Sequence, residues 1–541
     1  MKEFIIDDIT WNDLSMDSIY DRLNRAESSV GSEYLKRVMR TMLMDGKQLE
    51  KRSDAAEMLK EHEPLRKGFS KVFRNLGKTK KLSLYDYIFR FSEVKNSGNA
   101  LHYILALLML ASIAALFISP VAGVIGLVIM FIVNISTYFK FKASVEGYFM
   151  CFKYIIRMVR AASDIRNVYA AWKKNSADCN TSAMDELIEE MSVQADMLKE
   201  LKTGSWLLTN SVSGSLVDVV MDYIRMLFHV DIIRFNSMLK TASARTENID
   251  RLFCLLGELE TRICIALFRQ SAPYVCLPVL QELQTGAGSM NCINQQADDA
   301  GRAGSESSAD ERYSEDPAGR GSIMCSHIPA VKAVGMYHPL LKDSVPNDIN
   351  VSNPVLLTGS NASGKSTFLK QLAVNQIFAQ TLYTCTAREF RSGFFRVISS
   401  MALTDNILGN ESYFIVEIKS LKRIFDTAEE GRAPVMCFID EVLRGTNTKE
   451  RIAASVQILR KLSEINVLCF AATHDIELTE LLKDVMDNYH FEETVSGSDV
   501  MFDYKLKKGP AETRNAIKLM RAYGFDRDIT DGAEKLADAL G

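Results

Sequence analysis

No C-x-x-C pair occurs in this chain of 541 residues, and its ten cysteines, scattered from Cys151 to Cys469, follow no metal-ligand spacing. That excludes a structural zinc site and a disulfide framework, and it reads as free thiols in a reducing compartment. An excess of positive charge is missing too. Lys and Arg number 64 against 68 Asp and Glu, a formal net charge of −4, unlike a protein that coats nucleic acid by bulk electrostatics. Any contact with DNA therefore has to be local. The opening residues, MKEFIIDDITWNDL, hold no basic region followed by an apolar core, so no cleavable signal is expected and the chain is expected to start in the cytosol.

The most consequential absence lies between Leu101 and Phe139, 39 residues without one Asp, Glu, Lys or Arg. A bilayer crossing takes about 20 apolar residues, so this run suits two crossings better than one. Ser119-Pro120 near its middle predicts helices over 101–118 and 121–139, with Gly123 and Gly126 allowing close approach of their backbones. Lys80, Lys81, Arg90 and Lys95 precede the run and Lys140 and Lys142 follow it, which places both flanks on the cytosolic side. The expectation is a two-span membrane protein whose remaining parts are cytoplasmic. The alternative is an apolar hairpin buried in a soluble core.

Residues 1–97 are polar with helical periodicity, as at Leu35, Val38, Met39 and Met42. The hairpin would occupy 98–142. Helical spacing resumes over 143–283, for example Ile249, Leu252, Leu256, Leu259, Ile263 and Ala266. Residues 284–326 are rich in Gly, Ser, Ala, Asp and Glu and read as a disordered linker. In 327–541 the rhythm changes to short apolar runs between helical segments: Val355 to Leu357, Val397 and Ile398, Met436 to Ile439, Val467 to Ala472. That predicts a mostly parallel buried sheet, an α/β domain preceded by an all-α core. His490 to Val495 and Val500 to Leu506, flanking Ser496-Gly497-Ser498, read as a β-hairpin.

The first apolar run leads into Gly359-Ser360-Asn361-Ala362-Ser363-Gly364-Lys365-Ser366, then a helix starting at Thr367. Strand, G-x-x-x-x-G-K-[ST] and helix in this order predict a phosphate cradle. Its glycines let backbone N–H groups curl round the phosphates, Lys365 reaches the β and γ groups, and the Ser366 hydroxyl ligates Mg²⁺. A second apolar strand ends in Asp440-Glu441. Asp440 is expected to hold the Mg²⁺ shell and Glu441 to orient or deprotonate the attacking water. A third ends in Thr473-His474, and His474 is suited to sense or stabilise a γ-phosphate. The cofactors expected are ATP and Mg²⁺. Each fragment alone has a bland reading, a glycine-rich turn, a solvated acidic turn or a structural histidine. Three strand ends converging on one sheet edge weigh against all three.

These motifs resemble the ATPase domain of MutS proteins, the DNA mismatch-recognition ATPases of the ABC superclass. Thr358-Gly359-Ser360-Asn361 with Gly364-Lys365-Ser366-Thr367 is similar to the family's T-G-P-N-x-x-G-K-S-T, Ser360 standing for the usual proline. Asp440-Glu441-Val442-Leu443-Arg444-Gly445-Thr446-Asn447-Thr448 resembles D-E-x-x-R-G-T-S-T with Asn447 as the departure, and Ala472 to Thr479 resembles A-T-H-x-x-E-L-T. Asp405, Asn406, Gly409, Ser412, Phe414 and Glu417 match the family's version of the ABC signature, and Val345-Pro346-Asn347-Asp348, with His338-Pro339, looks like the segment entering the domain. The resemblance covers about 330–530. It implies a homodimer with composite ATP sites, in which Ser412 reaches the nucleotide on the opposite subunit and Val345 lies beside it. Upstream, Ser28-Ser29-Val30-Gly31-Ser32 resembles the start of the family's helical core. No segment resembles the mismatch-reading domain, and the two F-x-E strings, Phe91-Ser92-Glu93 and Phe491-Glu492-Glu493, fall outside such a context. The resemblance implies a truncated member, and the apolar run 101–139, foreign to the mismatch-repair members, makes it a membrane-associated one with one of two outputs: DNA binding without mismatch reading, or a mechanical or signalling switch with no DNA ligand.

Overall fold

Ser28 begins the first long helix of the chain: its hydroxyl caps Ser29–Arg40 by accepting from the Gly31 N–H at 3.1 Å. Leu35, Val38 and Met39 face inward from it. The structure, a computed structural model, describes residues 3–79, 85, 98–175, 181–202, 216–281, 330–360, 363–401, 413–444, 446–496, 499–511, 517, 520–521 and 524–540. The linker expected over 284–326 lies outside the described residues, as do Asn361, Ala362 and Ser412. Contacts group the chain into two units, one of Ser18–Thr41 and Lys47–Pro273, the other of Met1–Asp17, Met42–Gly46 and Tyr274–Gly541.

In the first unit Ser29–Arg40 lies along Thr246–Ser271, whose Ile249, Leu252, Leu256, Leu259, Ile263 and Ala266 are all buried. The approach depends on two glycines. A Cβ at Gly257 would overlap Tyr34, and one at Gly31 would overlap the Glu260 carboxylate. Glu260 itself accepts from the Glu27 and Ser28 amides at 2.6 and 3.1 Å, completing the helix cap from a distant part of the chain. Glu258 is clamped by Arg52 through two 2.9 Å contacts and by Arg262 at 3.1 Å. Burial pushes the Glu258 carboxyl up, and the two guanidinium groups overcome this and hold it down at about 2.

The apolar run forms two helices, Ala100–Ile118 and Pro120–Lys173. Pro120 sits where a helix needs no N–H. The second helix does not stop at 139 but continues for 54 residues, about 80 Å at 1.5 Å per residue. Lys140 and Lys142 end its apolar character without breaking it, and from Cys151 to Tyr169 it supplies the helical core. Both segments are long and apolar enough to cross a membrane by length and composition, and only 17% and 22% of their apolar windows are buried. The core of the protein therefore does not cover them. Leu216–Phe228 packs against both near Leu105, Met109 and Met130, leaving Val219, Val220, Tyr223 and Ile224 exposed.

The second unit is built on a six-stranded sheet in the order Lys507–Lys508, Asp487–His490, Val355–Thr358, Val467–Ala472, Val435–Asp440, Arg396–Ser400. All neighbours are parallel except the first pair. The four apolar runs read from sequence are its three central strands and the edge strand Arg396–Ser400, nearly every residue buried, as a sheet covered on both faces requires. His490 belongs to this sheet, so the hairpin expected from His490 is shorter, Glu493–Ser496 against Asp499–Phe502. A four-stranded mixed sheet, Val279–Gln281, Glu389–Gly393, Val331–Met336, Asn347–Val351, adjoins in the same unit. Residues 1–17, assigned by periodicity to the helical part, sit here instead. Helix Asp8–Asp13 covers the edge strand Arg396–Ser400: Ser399 Oγ and the Met401 N–H donate to the Asp13 carboxylate at 2.7 and 2.9 Å, and the Ser399 N–H to Thr10 Oγ1 at 3.1 Å.

Candidate functional site

Val355–Thr358 is flanked by parallel strands on both sides, so the chain leaves it at the C-terminal edge of the sheet, where open α/β sheets bind ligands. The turn that follows needs glycine twice, at Gly359 with φ +143° and at Gly364 with φ +110°. A Cβ on Gly359 would also overlap the Phe491 carbonyl oxygen. Helix Lys365–Thr381 then begins with no side-chain cap, leaving its first-turn amides, at the positive end of the helix dipole, to a ligand. Lys365 Nζ donates to the carbonyls of Gly359 and Ser360 at 2.6 and 2.8 Å. Burial lowers its pKa, against the pull of Asp440, Glu441 and Glu493. Ser363 Oγ is buried in the loop without a hydrogen-bond partner.

The acidic side is delivered by Val435–Asp440, in register with Val467–Ala472 so that Asp440 stands beside Ala472. The Glu441 N–H donates to the Ala472 carbonyl at 2.8 Å, and the backbone turns left-handed at Glu441, φ +66°, and at Leu443, φ +58°. Two non-glycine residues in that region are a local strain of the kind concentrated at functional sites. The Glu441 carboxylate meets Arg444 Nε at 2.9 Å and His474 Nδ1 at 3.2 Å. Arg444 also donates to the Asp440 carbonyl at 2.7 Å, and its N–H donates to buried Glu417 at 3.2 Å. Burial raises the Glu417 pKa, and its second oxygen has no hydrogen-bond partner. Behind His474, Arg451 grips Asp475 through contacts of 2.9 and 2.6 Å, fixing the turn.

One cavity of about 700 Å³ joins both sides. Ser360, Ser363, Gly364, Lys365, Ser366, Thr367, Asp440, Glu441 and Val345 all line it, so the expected residues from three separate stretches are brought together. Gly359 shapes the turn from behind. His474 is half-exposed and reaches the cavity only through Glu441. Arg444, Phe491 and Tyr504 line it without having been singled out for the site. Arg444 was legible inside the D-E-x-x-R string, whereas the two aromatics flank a hairpin and carry no periodic signal.

Ser366 and Asp440 would hold a Mg²⁺ ion, which would neutralise phosphate charge. Among the described residues no three His, Cys, Asp or Glu side chains cluster to hold an ion by themselves. A hydroxyl with a single carboxylate fits an ion that keeps several waters and takes its other ligands from phosphate.

A family model described as MutS domain V matches residues 355–541. The chain is 32% identical over 228 residues to a DNA mismatch repair protein MutS of Natronomonas pharaonis, covering 39% of this chain and 26% of that relative. With the MutS protein of Thermus aquaticus the identity is 28% over 208 residues, 38% and 25% of the two chains. With the DNA mismatch repair protein MSH3 of Saccharomyces cerevisiae it is 32% over 209 residues, 36% and 20%. The match thus spans about a quarter or less of these relatives' length.

Proposed function

As a member of the MutS family through its C-terminal domain, this chain is, we propose, an ATP-hydrolysing dimeric switch anchored in a membrane by residues 101–139. The observation that carries the ATPase reading is the shared cavity, with Lys365 and Ser366 on one wall and Asp440 and Glu441 on the other. ATP would lie with its phosphates on the uncapped start of helix Lys365–Thr381. Lys365 neutralises phosphate charge, and Glu441 orients and takes the proton of the attacking water. His474 fixes the Glu441 carboxylate from one side and Arg444 from the other. Ser412 completes the site of the opposite subunit, as the resemblance implies.

The membrane part of the reading is supported by two apolar helical segments, Ala100–Ile118 of 19 residues and Pro120–Ala143 of 24 residues, with mean hydropathy 2.4 and 2.1. The relatives' names bring DNA as a second ligand. Salt-dependent binding of labelled duplex tests it, since phosphate contacts give a steep salt slope and a switch without a DNA ligand gives no binding. For the ATPase, detergent-purified protein should release phosphate from MgATP, and Lys365→Ala should abolish nucleotide binding. Wild-type protein that neither binds nor hydrolyses MgATP would falsify the reading.

A further inference from the structure

Ser360 is the position where the phosphate loop departs from the family string, and it has a partner no local motif foretells. Its hydroxyl donates to Glu493 Oε2 at 2.8 Å, across 133 residues of sequence. Glu493 opens the strand Glu493–Ser496 of the short hairpin, and the roots of that hairpin press on the loop. The Phe491 N–H donates to the Thr358 carbonyl at 3.0 Å, the Phe491 carbonyl packs against Gly359, and Tyr504 packs against Gly364. The neighbouring carboxylate, Glu492, is paired with Lys507. Among the described residues no Lys or Arg forms an ion pair with Glu493. A carboxylate in no direct ion pair thus sits at the rim of a loop shaped for polyphosphate, near enough to Lys365 to act on its charge.

We propose that Ser360 and Glu493 form an anionic latch: Glu493 competes with nucleotide phosphates for the loop, lowers its affinity for polyphosphate, and is expelled with the root of the hairpin when nucleotide enters. This deepens the ATP-binding reading and rests on it. A proline at 360 could make no such bond, so the latch is a property of this chain's own loop. Like charges brought together in a partly desolvated cleft repel strongly, and each added phosphate should strengthen the effect. Glu493 is a positioning residue acting through Ser360 and through charge, and no chemical step is assigned to it.

The test measures dissociation constants of the full-length protein for Mg-bound ATP and ADP and for AMP by calorimetry, comparing wild type with Glu493→Gln and Glu493→Asp. Glu493→Gln keeps the hydrogen-bonding shape and removes the charge. It should tighten ATP by about 5- to 50-fold, ADP by less and AMP least, the gain shrinking as salt is raised. Glu493→Asp should stay near wild type. Equal tightening for all three nucleotides, no change, or weaker binding overturns the latch while leaving wild-type ATP binding, and hence the parent reading, intact. If wild-type protein binds no nucleotide, the parent reading falls first. Hydrogen exchange on the unmutated protein gives an independent measure. Amides of Glu493–Ser496 should exchange faster once ATP is bound, and slower or unchanged exchange counts against expulsion.

Discussion

Glu441 stands in a left-handed backbone conformation with its carboxylate held from two sides, an arrangement that fixes an acceptor in place before any water arrives. Glu441→Gln should therefore keep ATP binding while turnover falls by about 10²- to 10⁴-fold, the usual worth of a positioned base, as read by phosphate release beside a binding titration. His338 makes a different prediction. It is buried in the α/β unit, its Nδ1 accepts from the Leu340 N–H at 3.3 Å, and burial pushes its pKa down to about 4. The folded value lies below the unfolded one of about 6.5, so the fold requires the neutral ring. The stability it contributes is complete above about pH 6.5 and is lost as pH falls toward 4. Denaturation midpoints over that window should drop in the wild type and drop less in His338→Gln; parallel curves would assign the acid sensitivity elsewhere. The residues of the phosphate loop and the Asp440-Glu441 pair were legible because a handful of adjacent positions carries their chemistry. Glu493 was not, since its role depends on a partner 133 positions away.

Elements show the same division between local and distant information. Central strands were legible because a sheet covered on both faces writes unbroken apolar runs, and Thr246–Ser271 because its apolar residues recur at helical spacing, although the helix is buried all round from Leu255 to Ala266. The end of Pro120–Lys173 was not. Hydropathy changes at Lys140, but backbone helicity responds to glycine, proline and caps, and the helix runs on into the core. A single rod thus carries both the apolar stretch and core packing. The chain should sediment with membranes, and deleting 100–140 should release a soluble protein that still hydrolyses ATP. Recovery of the intact protein in a detergent-free high-speed supernatant would return the hairpin to the protein interior. Inside the helical unit, Glu258→Ala would leave Arg52 and Arg262 buried without their shared carboxylate. A loss of about 3–5 kcal/mol is expected in chemical denaturation, with Glu258→Gln recovering little because the charge is still absent.

For the molecule as an assembly, the sharpest expectation is that hydrolysis needs two chains, with Lys365, Ser366, Asp440 and Glu441 from one and Ser412 from the other. Mixing Lys365→Ala with Ser412→Ala protein creates dimers in which one site holds both lesions and the other neither. Partial recovery of phosphate release on mixing supports shared sites. Full activity of Ser412→Ala alone, or of strictly monomeric protein, removes the role given to Ser412.

The helix Asp8–Asp13 also sets an order of events during synthesis. It leaves the ribosome well before the strand whose edge it closes, which lies 386 to 389 residues later. At about 5–20 residues per second the wait is roughly 20 to 80 s. Over that interval the helix has no sheet to dock on, and afterwards the strand Arg396–Ser400 emerges with the outer-edge amides of Ser399 and Met401 bare until the helix returns. An unpaired edge of that kind is a template for pairing with another nascent chain. Yield in cells should therefore depend on this short helix more steeply than its length suggests, and Asp13→Ala, which removes the acceptor for Ser399 and Met401, should raise the aggregated fraction.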